Sequence, residues 1–217
     1  MKFEKTEVWG FEHALRGMRN PLESWGKSDS YYGNNEIGLE SYVIGENDLE
    51  LAQKLIKAGE PHRKFLRQIF VSVDITAPLY WWKEFDTYKV GTVANSTSTM
   101  HKLASIPITK KCFEMDDFEN FGIGDCLITA HWKYMLDVCE RLRQKYNETK
   151  DKRYWKELIR LLPESWLQTR TITMNYENIL NMVKYRENHK LTEWSISFME
   201  WVKSLPYVNE FIFINNK

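Results

Sequence analysis

The polar stretch from Gly91 to Ser105 concentrates side chains that could bind an anionic ligand. Its hydroxyl and amide side chains are those of Thr92, Asn95, Ser96, Thr97, Ser98 and Thr99. Hydroxyls, amides and backbone N–H groups suit phosphate and ribose oxygens, and Lys83 and Lys89 would add positive charge. The same composition is typical of a solvated surface loop, so both interpretations stay open at this point.

A single arginine is the second candidate. Arg186 follows Val183 by three residues and Ile179 by seven, so it lies on the otherwise apolar face of a predicted helix. A guanidinium on such a face needs a partner, because an unpaired buried charge is costly. That partner is either an anionic ligand, which suits the bidentate geometry of arginine, or a carboxylate of the chain itself.

Other titratable residues form weaker patterns. His131 lies on the apolar stripe of a long predicted helix, and we expect a core histidine there. His62 and His189 lie at the edges of predicted elements, where histidine can transfer protons. The acidic residues that could bind a cation, although they are more typical of solvated surface, are Glu114, Asp116 and Asp117. We expect no metal site, because the cysteines and histidines show no ligand spacing.

Composition limits the class of protein. Thirty Lys and Arg residues balance thirty Asp and Glu residues, which argues against a broad basic surface for nucleic acid. A small anion needs only a few local cations. The 217 residues can bury a core without disulfides, and three widely spaced cysteines favour a reducing compartment. Without an apolar N-terminal run or a membrane-length apolar window, we expect a soluble, cytoplasmic protein.

Hydrophobic periodicity predicts the elements that position these residues. Strands are expected at Gln68–Thr76 and Thr169–Met174; Pro78 opens a helix after the first, and Asn175 caps a helix after the second. The other expected elements are an edge strand at Met1–Gly10, helices at Asn47–Ala58 (capped by Asn47 and ended by Gly59), Leu127–Lys145, Asp151–Leu161 and Thr192–Ser204, and loops at Asn20–Gly38, Gly91–Ser105 and Phe118–Asp125. No linker requires a boundary, so we expect one domain over residues 1–217.

Two segments carry a family resemblance. The segment from Ile75 to Lys102 runs from a strand through Ala77-Pro78 into a helix and a polar motif, and it resembles the core of the flavin-dependent thymidylate synthases. In that family the motif has the form R-H-R-x-x-S-x-N-x-x-S-x-R, and the frame fits without a gap. The second segment is similar through Leu162-Pro163, Thr173-Met174-Asn175, Arg186, His189 (one position off the family histidine) and Trp194.

The first segment departs from the family motif at most of its charged positions. The departures are Glu84 for glutamine, Thr87, Tyr88 and Lys89 for Arg-His-Arg, Thr92 and Thr97 for serines, Ala94 for asparagine and Thr99 for arginine. Each lost arginine removes charged hydrogen bonds worth roughly 1.5–3 kcal/mol. The second segment keeps Asn175 and Arg186 at matching positions.

The resemblance implies an α+β fold, with a central, mostly antiparallel β-sheet flanked by helices, assembled as a homotetramer with active sites between subunits. It implies FAD as cofactor, dUMP as substrate, methylenetetrahydrofolate as carbon donor and NADPH as reductant. Arg186 would polarise the pyrimidine, and Asn175, His189 and Lys89 would hold the flavin. The residues that would contact the nucleotide are Glu84, Thr92, Asn95, Ser96, Thr97, Thr99 and Arg160.

Three functions stay open on the sequence. The first is a flavin-dependent methyltransferase that reductively methylates dUMP. The second is a catalytically inactive homologue that binds or sequesters a nucleotide in an intersubunit pocket, and the third is a structural oligomer without a small ligand. Fold-level analogy does not choose among them.

Overall fold

The computed structural model describes residues 1–34, 40–115 and 126–214. Four strands form one sheet in the order β1-β4-β6-β5, and β2 pairs with β3 in a separate antiparallel hairpin whose register runs from Tyr31 opposite Val43 to Asn34 opposite Glu40. The strands are β1 (Lys2–Trp9), β2 (Tyr31–Asn34), β3 (Glu40–Val43), β4 (Phe70–Pro78), β5 (Val93–Ser96) and β6 (Leu167–Asn175). The predicted edge strand at the N-terminus is confirmed as β1.

Helices make up most of the remaining described structure. They are α1 (Phe11–Met18), α2 (Glu46–Lys57), α3 (Leu79–Phe85), α4 (Thr99–Lys102), α5 (Cys126–Thr149), α6 (Lys152–Leu161), α7 (Tyr176–Arg186), α8 (Met199–Lys203), which follows a π-helical segment at Glu193–Phe198, and α9 (Val208–Phe211). Among the described residues, no helix is both long and apolar enough to span a bilayer.

The chain forms two compact units. The first unit comprises Met1–Lys2, Ile75–Thr87 and Asn95–Thr171, and the second comprises Phe3–Asp74, Tyr88–Ala94 and Ile172–Lys217. The expectation of a single domain stays a prediction.

The strand β4 confirms the predicted alternation, two residues later than expected. Val71, Val73 and Ile75 are fully buried, while the residues between them are partly exposed. A strand whose alternate side chains are apolar buries one face of the sheet. Pro78 then stands at the N-cap of α3, as predicted, because its fixed φ suits the start of a helix.

Helix α7 begins with the predicted asparagine cap. The Asn175 side chain accepts a hydrogen bond from the backbone N–H of Asn178 (3.0 Å), and the Asn178 side chain accepts one from the backbone N–H of Asn175 (3.2 Å). This reciprocal capping box satisfies two N–H groups that the first helical turn leaves unpaired. Helix α7 therefore starts at a fixed residue directly after β6.

The predicted cap of α2 is wrong. Gly45 occupies the N-cap without a side-chain bond, and the Asp29 carboxylate accepts the backbone N–H groups of Asn47 (2.9 Å) and Asp48 (3.1 Å). A carboxylate at a helix N-terminus also favours the helix dipole. The predicted end is confirmed, since Gly59 has a φ of +101° directly after the helix.

Two predicted loops contain regular structure. The stretch from Asn20 holds 3-10 turns at Asn20–Leu22 and Trp25–Lys27 and then strand β2, while residues 35–38 lie outside the described residues. The stretch from Gly91 to Ser105 holds β5 and α4. The predicted loop Phe118–Asp125 also lies outside the described residues.

In the first unit, the packed stripe of α5 only partly matches the expected one, which ran through Ile128, His131, Met135, Val138 and Leu142. His131 is exposed, so the prediction of a core histidine is wrong, whereas Cys139 of the same helix is fully buried. The core cluster contains Leu103, Ile108, Phe113, Cys139, Leu158 and Trp166. Trp132, Met135 and Leu142 pack against this cluster. The stripe therefore keeps Met135 and Leu142 of the prediction and has Trp132 in place of His131.

Candidate functional site

Arg186 ends α7 in the second unit, where two aromatic side chains surround its guanidinium. Its Nε donates a hydrogen bond to the hydroxyl of Tyr88 at 2.9 Å. The guanidinium carbon lies 5.5 Å from the centre of the Tyr88 ring and 5.2 Å from that of Trp194. Both distances lie within the range of a cation–π interaction. Tyr88 and Trp194 thus supply some of the partners that the sequence analysis expected for this arginine.

Tyr88 and Trp194 also contact each other. Their ring centres are 6.2 Å apart, with planes at 61°, an edge-to-face arrangement that aromatic pairs favour. Trp194 is fully buried, whereas Tyr88 and Arg186 are half-buried. The guanidinium of Arg186 and the hydroxyl of Tyr88 thus lie near a buried aromatic side chain, while both residues stay partly exposed to solvent.

The backbone around Tyr88 is tied to the start of α7. Thr92 donates its hydroxyl hydrogen to the carbonyl of Tyr88 (2.6 Å), and the Asn178 amide donates to the carbonyl of Val90 (2.6 Å). Gly91 has a φ of +78°, and a Cβ built on it would lie 2.9 Å from the Asn175 amide nitrogen. The close approach requires a residue without a side chain, so this turn has a defined conformation.

The two best-matched flavin candidates are both used by the chain itself. Asn175 is buried and its side-chain oxygen caps α7. The Nδ1 atom of His189 accepts the backbone N–H of Leu191 at 3.2 Å. Lys89, the third candidate, is exposed. The second unit therefore contains Asn175, His189, Thr92 and Arg186. The first three make hydrogen bonds to nearby backbone groups.

The remaining nucleotide candidates belong to the first unit, and they are Glu84, Asn95, Ser96, Thr97, Thr99 and Arg160. Asn95 and Ser96 are exposed in β5, and the backbone N–H of Thr97 donates to the Thr169 carbonyl (2.9 Å). Arg160 is exposed on α6 and pairs with Glu157 at 3.0 Å. Asn95 and Ser96 thus belong to an exposed strand, and Arg160 belongs to a surface ion pair.

Glu84 and Thr99 also lie within helical structure. The Glu84 carbonyl accepts the Thr87 backbone N–H (3.1 Å) and hydroxyl (2.7 Å) at the end of α3. Thr99 is the first residue of α4, which Ser98 caps. Helix α3 ends at Phe85, so Tyr88 lies beyond it, in the segment between α3 and β5.

The second unit contains a cavity of about 410 Å³ that the sequence did not indicate. Apolar side chains such as Met18, Leu51 and Phe65 form much of its wall, together with the cationic residue Lys64 and with His62. No carboxylate lies among the residues that line it. Its volume is in the range of small-molecule pockets.

No group of three or more metal-ligating side chains occurs in residues 1–34, 40–115 and 126–214. Glu114, one of the acidic residues considered for a cation, pairs with the N-terminal ammonium group at 3.3 Å. Asp116 and Asp117 lie outside these ranges.

The fold is that of the flavin-dependent thymidylate synthases, which confirms the predicted α+β class. A crystal structure of the flavin-dependent thymidylate synthase of Helicobacter pylori in complex with FAD and dUMP matches with a TM-score of 0.70 and 16% identity, covering 99% of both chains. A second crystal structure of that protein with FAD and dUMP matches with a TM-score of 0.69 and 16% identity, covering 99% of this chain and 98% of that one. No protein-family model and no curated protein sequence matches the chain.

Proposed function

We propose that this chain is a thymidylate synthase-like protein that binds a dUMP-like pyrimidine nucleotide at Arg186. The observation that carries the proposal is the half-buried guanidinium, fixed by the Tyr88 hydroxyl and by the rings of Tyr88 and Trp194. The sequence resemblance gives this position to the arginine that faces the pyrimidine. The fold, shared with a protein crystallised with dUMP, agrees with that assignment.

The chemistry of the cluster suits a pyrimidine. A guanidinium presents five N–H donors in one plane, and Tyr88 accepts the one on Nε. Carbonyl oxygens of uracil are acceptors for such donors, and a positive charge draws electron density from the ring. The half-buried ring of Tyr88 adds flat apolar surface against which a base can pack.

The donors around α7 do not fit the pyrophosphate of FAD. That group carries two negative charges, whereas Lys89 is the only lysine or arginine between Thr87 and Thr99. The Asn175 amide already fills the space over Gly91, where a Cβ would lie 2.9 Å from its nitrogen. Nucleotide binding without flavin, the role of an inactive homologue, is therefore the function that the geometry supports best.

Reductive methylation of dUMP with FAD is the second candidate. The observation in its favour is that Asn175 and Arg186 stand at the two ends of α7, as the resemblance requires. A bound flavin would supply the hydride chemistry, while the protein would orient and polarise the uracil. Like the homotetramer, this activity is an expectation from the resemblance.

Isothermal titration with dUMP tests the proposed function. Arg186→Ala should weaken dUMP binding by about ten- to hundredfold, because charged hydrogen bonds of roughly 1.5–3 kcal/mol are lost. Lys184→Ala is the matched control, since Lys184 is an exposed cation two residues earlier on α7. If the wild-type protein binds no dUMP, or if both variants bind it as the wild type does, the proposal is wrong.

The absorption spectrum separates the two candidates. A binding protein without flavin should be colourless as purified and should not take up added FAD. A yellow preparation would instead support the enzyme, and conversion of dUMP with FAD, methylenetetrahydrofolate and NADPH would establish it.

A further inference from the structure

The Tyr88 hydroxyl accepts a hydrogen bond and retains a proton that it can donate. It accepts the Nε hydrogen of Arg186 at 2.9 Å, and a phenol that accepts one bond still has its own proton to donate. Within residues 1–34, 40–115 and 126–214, no acceptor is found for that proton. The Tyr88 side chain is half-buried, so a ligand can reach the hydroxyl while Arg186 donates to it.

The arginine makes this proton a better donor. A hydroxyl that accepts a bond from a cation is polarised, because the accepted charge draws electron density away from its own O–H bond. The arrangement therefore extends the positive charge of Arg186 by one hydrogen bond. An oxygen acceptor placed at the hydroxyl would receive a stronger bond than an isolated tyrosine gives.

The position of the hydroxyl is set before any ligand binds. The bonds from Thr92 to the Tyr88 carbonyl and from Asn178 to the Val90 carbonyl, both 2.6 Å, hold the backbone. The edge-to-face contact with buried Trp194 holds the ring. A donor that is already ordered costs little additional conformational entropy on binding.

We propose that the Tyr88 hydroxyl donates a hydrogen bond to a carbonyl oxygen of the pyrimidine bound at Arg186. This contact rests on the proposed function and adds that Tyr88 recognises the base of the nucleotide. A base carbonyl is favoured over the phosphate because the donor is carried by a half-buried aromatic ring, and aromatic surfaces pack against bases. Tyr88 stands where the family motif has histidine, so this contact would be a property of this chain.

Thio-substituted nucleotides test the contact, because a thiocarbonyl has nearly the shape of a carbonyl and is a weaker acceptor. The titrations compare dUMP, 2-thio-dUMP and 4-thio-dUMP on the wild type, on Tyr88→Phe and on Tyr185→Phe. Tyr185 is an exposed tyrosine next to Arg186 on α7. We expect Tyr88→Phe to weaken dUMP binding by about tenfold, and Tyr185→Phe to leave it unchanged.

The decisive readout is the ratio between ligands. In the wild type one of the two thio nucleotides should bind more weakly than dUMP by about five- to tenfold, and in Tyr88→Phe that ratio should fall to within about twofold. A purely structural effect of Tyr88→Phe would weaken all three ligands equally, which would overturn the proposal. Unchanged affinities and ratios in Tyr88→Phe would overturn it as well, while leaving nucleotide binding at Arg186 intact.

Absence of binding to the wild type by all three nucleotides is a different result. It would contradict the proposed function, and therefore also the hydrogen bond from Tyr88 to the base. The two failures are therefore distinguishable in one set of titrations.

Discussion

Replacing Asp48 with alanine should lower the free energy of unfolding by about 3–5 kcal/mol, because it leaves a buried arginine without its counter-charge. Asp48 is fully buried in the second unit and accepts the Nε hydrogen of Arg19 at 2.6 Å. The hydroxyls of Ser28 and Ser30 donate to its other oxygen, each at 2.6 Å. In the described part of the chain, Arg19 Nη2 already lacks a hydrogen-bond partner, so little can compensate.

The same network sets a pH dependence. Burial alone would raise the pKa of Asp48, but the hydrogen bonds from Ser28, Ser30 and Arg19 and the charge of Arg19 outweigh it and hold the pKa below its ordinary value. A depressed pKa means that this stabilisation is present above the unfolded-state pKa of about 3.9 and is lost as the pH falls through the folded-state value. Asp48→Asn should lose this acid-dependent part of the stability.

Urea unfolding followed by tryptophan fluorescence, at constant protein concentration, measures the effect. For a chain of this length, 3–5 kcal/mol corresponds to a melting temperature lower by about 6–20 °C. The control is Glu157→Ala, which breaks the exposed pair with Arg160 and should cost no more than about 1 kcal/mol. If Asp48→Ala costs as little as Glu157→Ala, the account of the buried network is wrong.

Two further predictions concern a turn and a helix. Gly91→Ala should destabilise the protein by about 1–2 kcal/mol in the same assay, because the φ of +78° is unfavourable for alanine and its Cβ would meet Asn175; Gly26→Ala, with open space around it, is the control and should be neutral. The hydrogen bond from Arg143 lowers the pKa of Glu140 to about 2, so its stabilisation should be lost as the pH falls from about 4.5 towards 2. Glu140→Gln should flatten that part of the stability–pH curve, and a curve identical to that of the wild type would contradict the assignment.

Local patterns predicted the elements that have a periodic apolar face. Strand β4 was found because Val71, Val73 and Ile75 alternate with partly exposed residues, and α7 because Asn175 precedes a helical spacing. Strand β5 was missed because all of its residues, Val93–Ser96, are exposed. Such a strand shows no alternation of burial, and its polar composition looks like a loop.

The site itself depends on contacts that no local pattern contains. Tyr88 and Arg186 are 98 residues apart, so their hydrogen bond has no signature in spacing or periodicity. The cap of α2 is similar, because Asp29 reaches its N-terminus from 18 residues away. Arg186 ends α7, the helix on which the apolar spacing predicted it, but neither the spacing nor the resemblance could predict its contact with Tyr88.

A crystal structure of the protein grown with dUMP tests the central claim most directly. We expect a pyrimidine whose carbonyl oxygen lies within hydrogen-bond distance of Arg186, with the base against the half-buried ring of Tyr88. A nucleotide bound elsewhere, such as in the cavity lined by Met18 and Lys64, with the Arg186 cluster unchanged and unoccupied, would contradict it.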